Sequence, residues 1–277
     1  MQREYSLARL AGRWIRSLAL AAVAGSALGV AQAASDQPLK LGSTAAFMPV
    51  LEVAAAEAAK QGVAVELVEF SDWKTPNVTL AQGDIDANYY QHIPFLTNAN
   101  KEGGFDLKPV APGVINNIGL YSKKYRSLDE LPVGAKVAIA GDAVNGARGL
   151  QLLEKAGLIK LKPGTGFETT VADIVENPKQ IRIIELEAVQ LARALDDVDL
   201  AQGMPHYLKL AGTIDPESAL IFDGQDRKIY AIQFVTRPEG QNDERLRRFI
   251  KVYQSSPVVR AALDRTQGKL YTPGWEE

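Results

Sequence analysis

The sequence predicts a layered α/β fold in two lobes. Three observations carry that prediction. Short strand patterns alternate with helix patterns from residue 39 onward, two long extended runs (residues 107–121 and 228–236) bracket a middle block, and no internal repeat or low-complexity linker interrupts the pattern. Alternation of this kind calls for sheets covered by helices. The two extended runs read as strands crossing between lobes. The first lobe takes residues 34–118 and 230–277, and the second takes 119–229. A single continuous α/β sheet is the alternative that periodicity alone leaves open.

Each element has its own signal. Leu39 to Ser43 is a first strand, and Val50 to Ala59 is an alanine-rich helix stopped by Gly62. Val63 to Phe70 (VAVELVEF) alternates with a strand's period of two. Thr75-Pro76 reads as an N-cap followed by proline at the first helical position. Ile85 to Tyr89 is a strand, and Ile93 to Lys101 a helix. Ser127-Leu-Asp-Glu130 has the spacing of a capping box, in which serine and glutamate each satisfy one free amide. Lys136 to Ala140 is a strand. Asn145 to Ala156 is a helix with Leu150, Leu153 and Ala156 on one face, ended by Gly157. Ile181 to Leu186 is a strand, Val189 to Leu195 a helix and Asp199 to Gln202 a short strand. Leu246, Phe249, Ile250 and Tyr253 follow the i, i+3, i+4, i+7 rhythm of a last long helix.

The first 33 residues differ from the rest. Arg3, Arg9, Arg13 and Arg16 precede an uncharged run from Ser17 to Val30, which ends in Ala31-Gln32-Ala33. That is the layout of a secretory signal peptide with an A-x-A cleavage site, and the run is shorter than the ~20 residues a membrane helix needs. Cleavage after Ala33 removes the four arginines and Glu4. The 31 basic and 33 acidic residues then become 27 and 32, a net charge of -5. No cysteine is present, so disulfides, a thiol nucleophile and a lipid-bearing cysteine are excluded. The expected product is periplasmic and soluble. The acidic balance supplies no basic surface for nucleic acid.

Catalytic and cofactor motifs are lacking. His92 and His206 are the only histidines and have no metal-ligand spacing. Gly141 to Arg148 carries the glycine spacing of a phosphate loop but not its Lys-Ser/Thr pair. Gly164-Thr-Gly166 lacks the third glycine of a dinucleotide fingerprint. No G-x-S-x-G elbow occurs. The reading is therefore a non-enzyme with no cofactor and no metal.

Several stretches resemble one family in order along the chain. They include Gly83-Asp-Ile-Asp-Ala-Asn-Tyr-Tyr-Gln-His-Ile-Pro-Phe-Leu96, Tyr121 to Leu131, Gly157 to Lys162, Val175-Glu-Asn-Pro-Lys179, Leu186-Glu-Ala188 with Leu191 to Asp197, and Gly274-Trp275. They resemble the NLPA lipoprotein family, the methionine-binding proteins of bacterial ABC importers. The resemblance implies a two-lobed periplasmic-binding-protein fold of type II. It also implies a monomer that binds methionine or a related amino acid between the lobes and delivers it to a membrane ABC permease. By the same resemblance the ligand site takes Trp73, Tyr90 and His92 from the first lobe and Asn145 and Arg148 from the second. The residue types suit the task. A guanidinium binds a carboxylate through paired hydrogen bonds, a helix N-terminus favours an anion, and aromatic edges suit a thioether. Tyr89 and Tyr90 alternate, so only one of them can face the cleft.

The sequence departs from the family pattern in three places. It has no lipid-carrying cysteine. Met204 stands where the family usually has an asparagine, and Asn116-Asn117 replaces an aromatic-proline step. These changes leave open a different small solute, such as another amino acid, a methionyl peptide or an organic acid. An enzyme or an adhesin on the same scaffold is the more distant alternative.

Overall fold

The computed structural model describes residues 37–224 and 228–276. The signal-peptide pattern and the expected cleavage site lie outside the described residues. Among the described residues, no helix is long and apolar enough to cross a membrane.

The chain runs β1 (Leu39–Thr44), α1 (Met48–Ala59), β2 (Val65–Phe70), α2 (Thr75–Gln82), β3 (Ala87–His92), α3 (Ile93–Gly103) and β4 (Lys108–Asn116). It continues through β5 (Gly119–Tyr121), β6 (Lys136–Ala140), α4 (Ala143–Lys155), β7 (Lys160–Leu161), β8 (Ile174–Glu176), β9 (Arg182–Leu186), α5 (Leu191–Ala194), β10 (Leu200–Gly203), α6 (Pro205–Ala211) and β11 (Ile221–Phe222). It closes with β12 (Ala231–Thr236), α7 (Glu244–Ser255), α8 (Pro257–Gln267) and β13 (Tyr271–Pro273).

Two large sheets organise these elements. One has six strands in the order β13-β4-β12-β3-β1-β2, the other five in the order β11-β5-β10-β6-β9. Both join a parallel part to an antiparallel part. In the first, β1 pairs parallel with β2 and β3, while β12 pairs antiparallel with β3 and β4. In the second, β6 pairs parallel with β9 and β10, while β5 pairs antiparallel with β10 and β11. Each sheet has its own apolar core. Leu41, Leu51, Phe234 and Phe249 anchor the first, and Leu120, Val137, Leu153 and Leu200 the second.

The chain leaves the six-stranded sheet after Asn116 and enters the other at Gly119. It returns between Phe222 and Ala231. These two connections are tied to each other: the Ile118 amide donates to the Asp223 carboxylate, and the Asp223 amide donates to the Ile118 carbonyl.

Several expectations need correction. The Ser127–Glu130 capping box starts no helix, because Pro132 would fall inside its second turn, where it has no amide and its ring clashes with the preceding turn. Glu130 instead accepts the Arg126 amide at 2.8 Å. Thr75 is the first residue of α2 rather than its cap. Asp72 accepts the Lys74 and Thr75 amides, each at 2.7 Å, so the carboxylate does the capping. Residues 228–230 form a 3-10 turn, not part of a strand, and residues 189–195 are split between a 3-10 turn and the short α5. Helices α6 and α8 were not anticipated.

Candidate functional site

Five functional candidates come from elements far apart in sequence, and all five line one cavity. Trp73, Tyr90, His92, Asn145 and Arg148 share it with Phe47, Phe95, Asn116, Asn117, Ile118, Met204, His206, Tyr207, Tyr230 and Ile232, among others. The cavity holds about 460 Å³ of space between atoms, part of it open to solvent. Topology explains the convergence. The loop after β1 carries Phe47, the loop after β2 carries Trp73, and the end of β3 carries Tyr90 and His92. From the other sheet, α4 after β6 supplies Asn145 and Arg148, while the end of β10 leads into Met204 and His206. Both halves thus present the carboxyl ends of parallel strands, where open α/β sheets place their ligands.

The period of two in β3 separates the neighbouring tyrosines. Tyr90 lines the cavity, whereas Tyr89 points into the core, its hydroxyl 2.7 Å from that of Tyr253. Tyr90 donates its hydroxyl to the Trp73 carbonyl at 3.0 Å, fixing the loop that presents the indole. The Trp73 ring meets Phe95 edge-on with centroids 6.1 Å apart. Its Nε1 donates to the Tyr207 hydroxyl at 2.9 Å, which in turn donates to Thr44 Oγ1 at 2.9 Å. This chain of hydrogen bonds joins α6 of the second lobe to β1 and the Trp73 loop of the first.

His92 does two jobs. Its Nδ1 accepts the Phe95 amide at 3.3 Å and so caps α3. The ring proton therefore sits on Nε2, which donates to Asn145 Oδ1 at 3.1 Å across the cleft. Asn145 Nδ2 donates to both carboxylate oxygens of Asp142 at 3.0 and 3.2 Å. Asp142 also accepts the Asn145 amide at 2.9 Å as the N-cap of α4. The helix N-terminus read from the sequence as favouring an anion therefore already faces the protein's own carboxylate. Burial, and secondly the charge of Arg148, push His92 down to about 3. The same two causes in the same order push His206 down to about 3. Both rings are neutral at physiological pH.

Arg148 is 5% exposed. Its Nε donates to Asp223 Oδ2 at 2.7 Å, its Nη2 lies 2.6 Å from the same oxygen, and Nη2 also donates to the Asn116 carbonyl at 3.0 Å. The guanidinium carbon sits 3.9 Å from the centre of the Tyr230 ring.

The glycines that mimicked a phosphate loop have a packing role. A Cβ on Gly146 would come within 2.7 Å of the Ala140 carbonyl oxygen, and one on Gly149 within 2.4 Å of Gln202 Oε1. They let α4 press onto the end of β6, which carries Asn145 and Arg148 to the cavity.

Sequence reasoning missed further cavity residues. Asn116 Nδ2, Asn117 Oδ1 and His206 Nδ1 are buried, line the cavity and have no hydrogen-bond partner within the described protein. Two adjacent asparagines in an otherwise apolar strand run were the available signal for the first two. His206 and Tyr207 carried no signal, because α6 was not foreseen. Among the described residues, no group of three or more histidines, aspartates or glutamates is placed to hold a metal ion.

Two α/β lobes that close on a buried, aromatic-walled cavity form the architecture with which periplasmic substrate-binding proteins enclose small solutes. The chain belongs to the NlpA lipoprotein family, whose profile matches residues 39–275. The D-methionine-binding lipoprotein MetQ of Escherichia coli K12 is 44% identical over 205 residues, 73% of this chain and 75% of that protein. The crystal structure of the methionine-binding protein MetQ is similar with a TM-score of 0.82 at 40% identity, covering 86% of this chain and 98% of that one. A nutrient-binding protein from Burkholderia cenocepacia, solved bound to methionine, has a TM-score of 0.80 at 36% identity, covering 85% and 99%.

Proposed function

We propose that this chain captures methionine or a closely related amino acid in the periplasm and delivers it to a membrane ABC permease. The carrying observation is the cavity itself. It lies at the carboxyl ends of the parallel strands of both lobes, has aromatic walls, and points three buried polar atoms inward that the protein leaves without partners. Buried polar groups in native proteins are nearly always hydrogen-bonded, so unpartnered ones facing a cavity mark a ligand's place. Trp73, Tyr90 and Phe95 form the side-chain pocket, where a thioether gains from contact with ring edges. His92, Asn145 and Arg148 form the polar end.

In this reading lobe 1 comprises residues 34–118 and 230–277 and lobe 2 residues 119–229, and the pair opens and closes about the connections that join the two sheets. The product is a soluble monomer beginning near Ala34, and it needs no cofactor and no covalent step. N-terminal sequencing of the periplasmic fraction checks the processing; an intact Met1 on a membrane-bound product contradicts it. Isothermal titration of ligand-stripped protein with L-methionine, D-methionine and other amino acids tests the ligand. Saturable one-to-one binding of a methionine is expected, and no binding of any of them refutes the reading.

A further inference from the structure

A free amino acid is a zwitterion at neutral pH, so a site for it needs acceptors for the ammonium as well as donors for the carboxylate. The ammonium brings donors only. An aspartate or glutamate would be the simplest partner, yet neither residue type is among the described residues that line the cavity. Neutral acceptors must serve instead, and two are in place. Asn117 Oδ1 and His206 Nδ1 are buried without a hydrogen-bond partner within the described protein, on side chains that are each 8% exposed. Burial, and secondly the charge of Arg148, keep the His206 ring neutral, so one of its nitrogens always carries a free lone pair. With the ring proton on Nε2, Nδ1 accepts. The ring packs against Phe47 and Tyr207, with centroids 4.8 and 4.9 Å away, which holds its edge in position.

These acceptors stand beside Arg148. Its Nη2 donates to the carbonyl of Asn116, the residue next to Asn117, at 3.0 Å, and its charge reaches His206. The two charged ends of an amino acid sit on adjoining carbons, so their partners must adjoin as well. We infer that Asn117 and His206 form the ammonium subsite of the cavity, accepting the α-ammonium of an amino acid solute through Asn117 Oδ1 and His206 Nδ1, while Asn116 Nδ2 donates to the carboxylate beside Arg148. The inference rests on the methionine reading above and adds to it the residues that read the amino group. A solute without that group leaves both acceptors buried and unpaired, so the pair selects amino acids over the corresponding carboxylic acids. Met204, on the same wall, cannot share the task, because a thioether accepts only weakly.

The test uses L-methionine and its desamino analogue 4-(methylthio)butanoate, which differ only in the ammonium group. Both are titrated calorimetrically into ligand-stripped wild-type protein, His206→Phe and Asn117→Leu. Phenylalanine keeps a ring against Phe47 and Tyr207, and circular dichroism with a thermal melt verifies each fold. The readout is the ratio of the two dissociation constants. On the wild type the analogue is expected to bind about 100-fold more weakly than L-methionine, since two charge-assisted hydrogen bonds are lost. In each variant that ratio is expected to shrink about tenfold, because L-methionine weakens while the analogue changes little. A purely structural role would weaken both ligands in parallel, so a ratio within twofold of wild type in either folded variant overturns the inference. An analogue that binds the wild type within threefold of L-methionine overturns it even if neither variant folds. In both cases L-methionine binding leaves the functional reading standing, and failure of the wild type to bind L-methionine overturns both.

Discussion

The bridge from Trp73 through the Tyr207 hydroxyl to Thr44 should set how readily the lobes close. Tyr207→Phe deletes one donor and one acceptor, and with them two hydrogen bonds of 2.9 Å between the lobes. In the open form the orphaned indole N–H and threonine hydroxyl reach water, so the loss falls on the closed form alone. Net contributions of about 0.5–1.5 kcal/mol per hydrogen bond give a closed-state penalty of about 1–3 kcal/mol, or a five- to 150-fold shift in the closed-to-open ratio. Apparent ligand affinity should fall by a similar factor where the open form dominates without ligand, because the solute then drives a less favourable closure. Tyr207 also lines the cavity, so Thr44→Val supplies the cleaner arm: Thr44 is outside the lining, and removing its oxygen costs one bond, about 0.5–1.5 kcal/mol. Titration calorimetry and small-angle scattering of ligand-stripped and saturated protein read the two effects. Affinities within twofold of wild type in both variants, with unchanged scattering, would refute the latch.

Three further outcomes are expected. Arg148→Ala should destabilise the fold by about 3–5 kcal/mol in urea titrations, since it leaves Asp223 buried and uncompensated, and the double variant Arg148→Met with Asp223→Asn should recover part of that loss. Stability should fall as pH drops: both histidines titrate near 3 in the fold and near 6.5 when unfolded, so the unfolded chain takes up protons first, and the stability present above pH 6.5 is lost toward pH 3. The slope is about 1.4 kcal/mol per pH unit per histidine, and His206→Gln should remove one histidine's share of it in urea midpoints measured from pH 6 to 4. Gly146→Ala should destabilise by about 1–3 kcal/mol, although alanine is the better helix former by about 1 kcal/mol, because the new Cβ meets a backbone carbonyl that cannot turn aside; a stabilised variant in the same titration would contradict the packing argument.

How legible the molecule was depended on the range of the interactions involved. Strands such as Lys136–Ala140 and the helix carrying Leu246, Phe249, Ile250 and Tyr253 declare themselves because one buried face repeats at the element's own period. Local capping signals were less secure. Thr75-Pro76 located α2 within one residue, but a carboxylate three positions upstream did the capping, and Ser127–Glu130 was cancelled by a proline just beyond it. The rule applied at Thr75-Pro76 also fits Ser256-Pro257, where Ser256 does cap α8. In the site, the five candidates came from the family resemblance and fell around one cavity. The partners that set their electrostatics could not be read in advance. Asp223 lies 75 positions from Arg148 and belongs to no motif, and the pairing exists only because β5 and β11 lie side by side.

The reciprocal bonds between Ile118 and Asp223 continue the β5–β11 ladder into the two connections between the lobes. In the proposed reading, strips of chain laced together in this way would resist sliding past one another and leave rotation about their common line, like a door on a pinned hinge rather than a ball in a socket. Residues 116–118 belong both to that pivot and to the cavity wall. In the proposed reading, a solute resting on them would touch the axle directly and act as a brake on reopening. The time it stayed bound would then set how long the outer rims of the two lobes keep the spacing that a membrane permease reads.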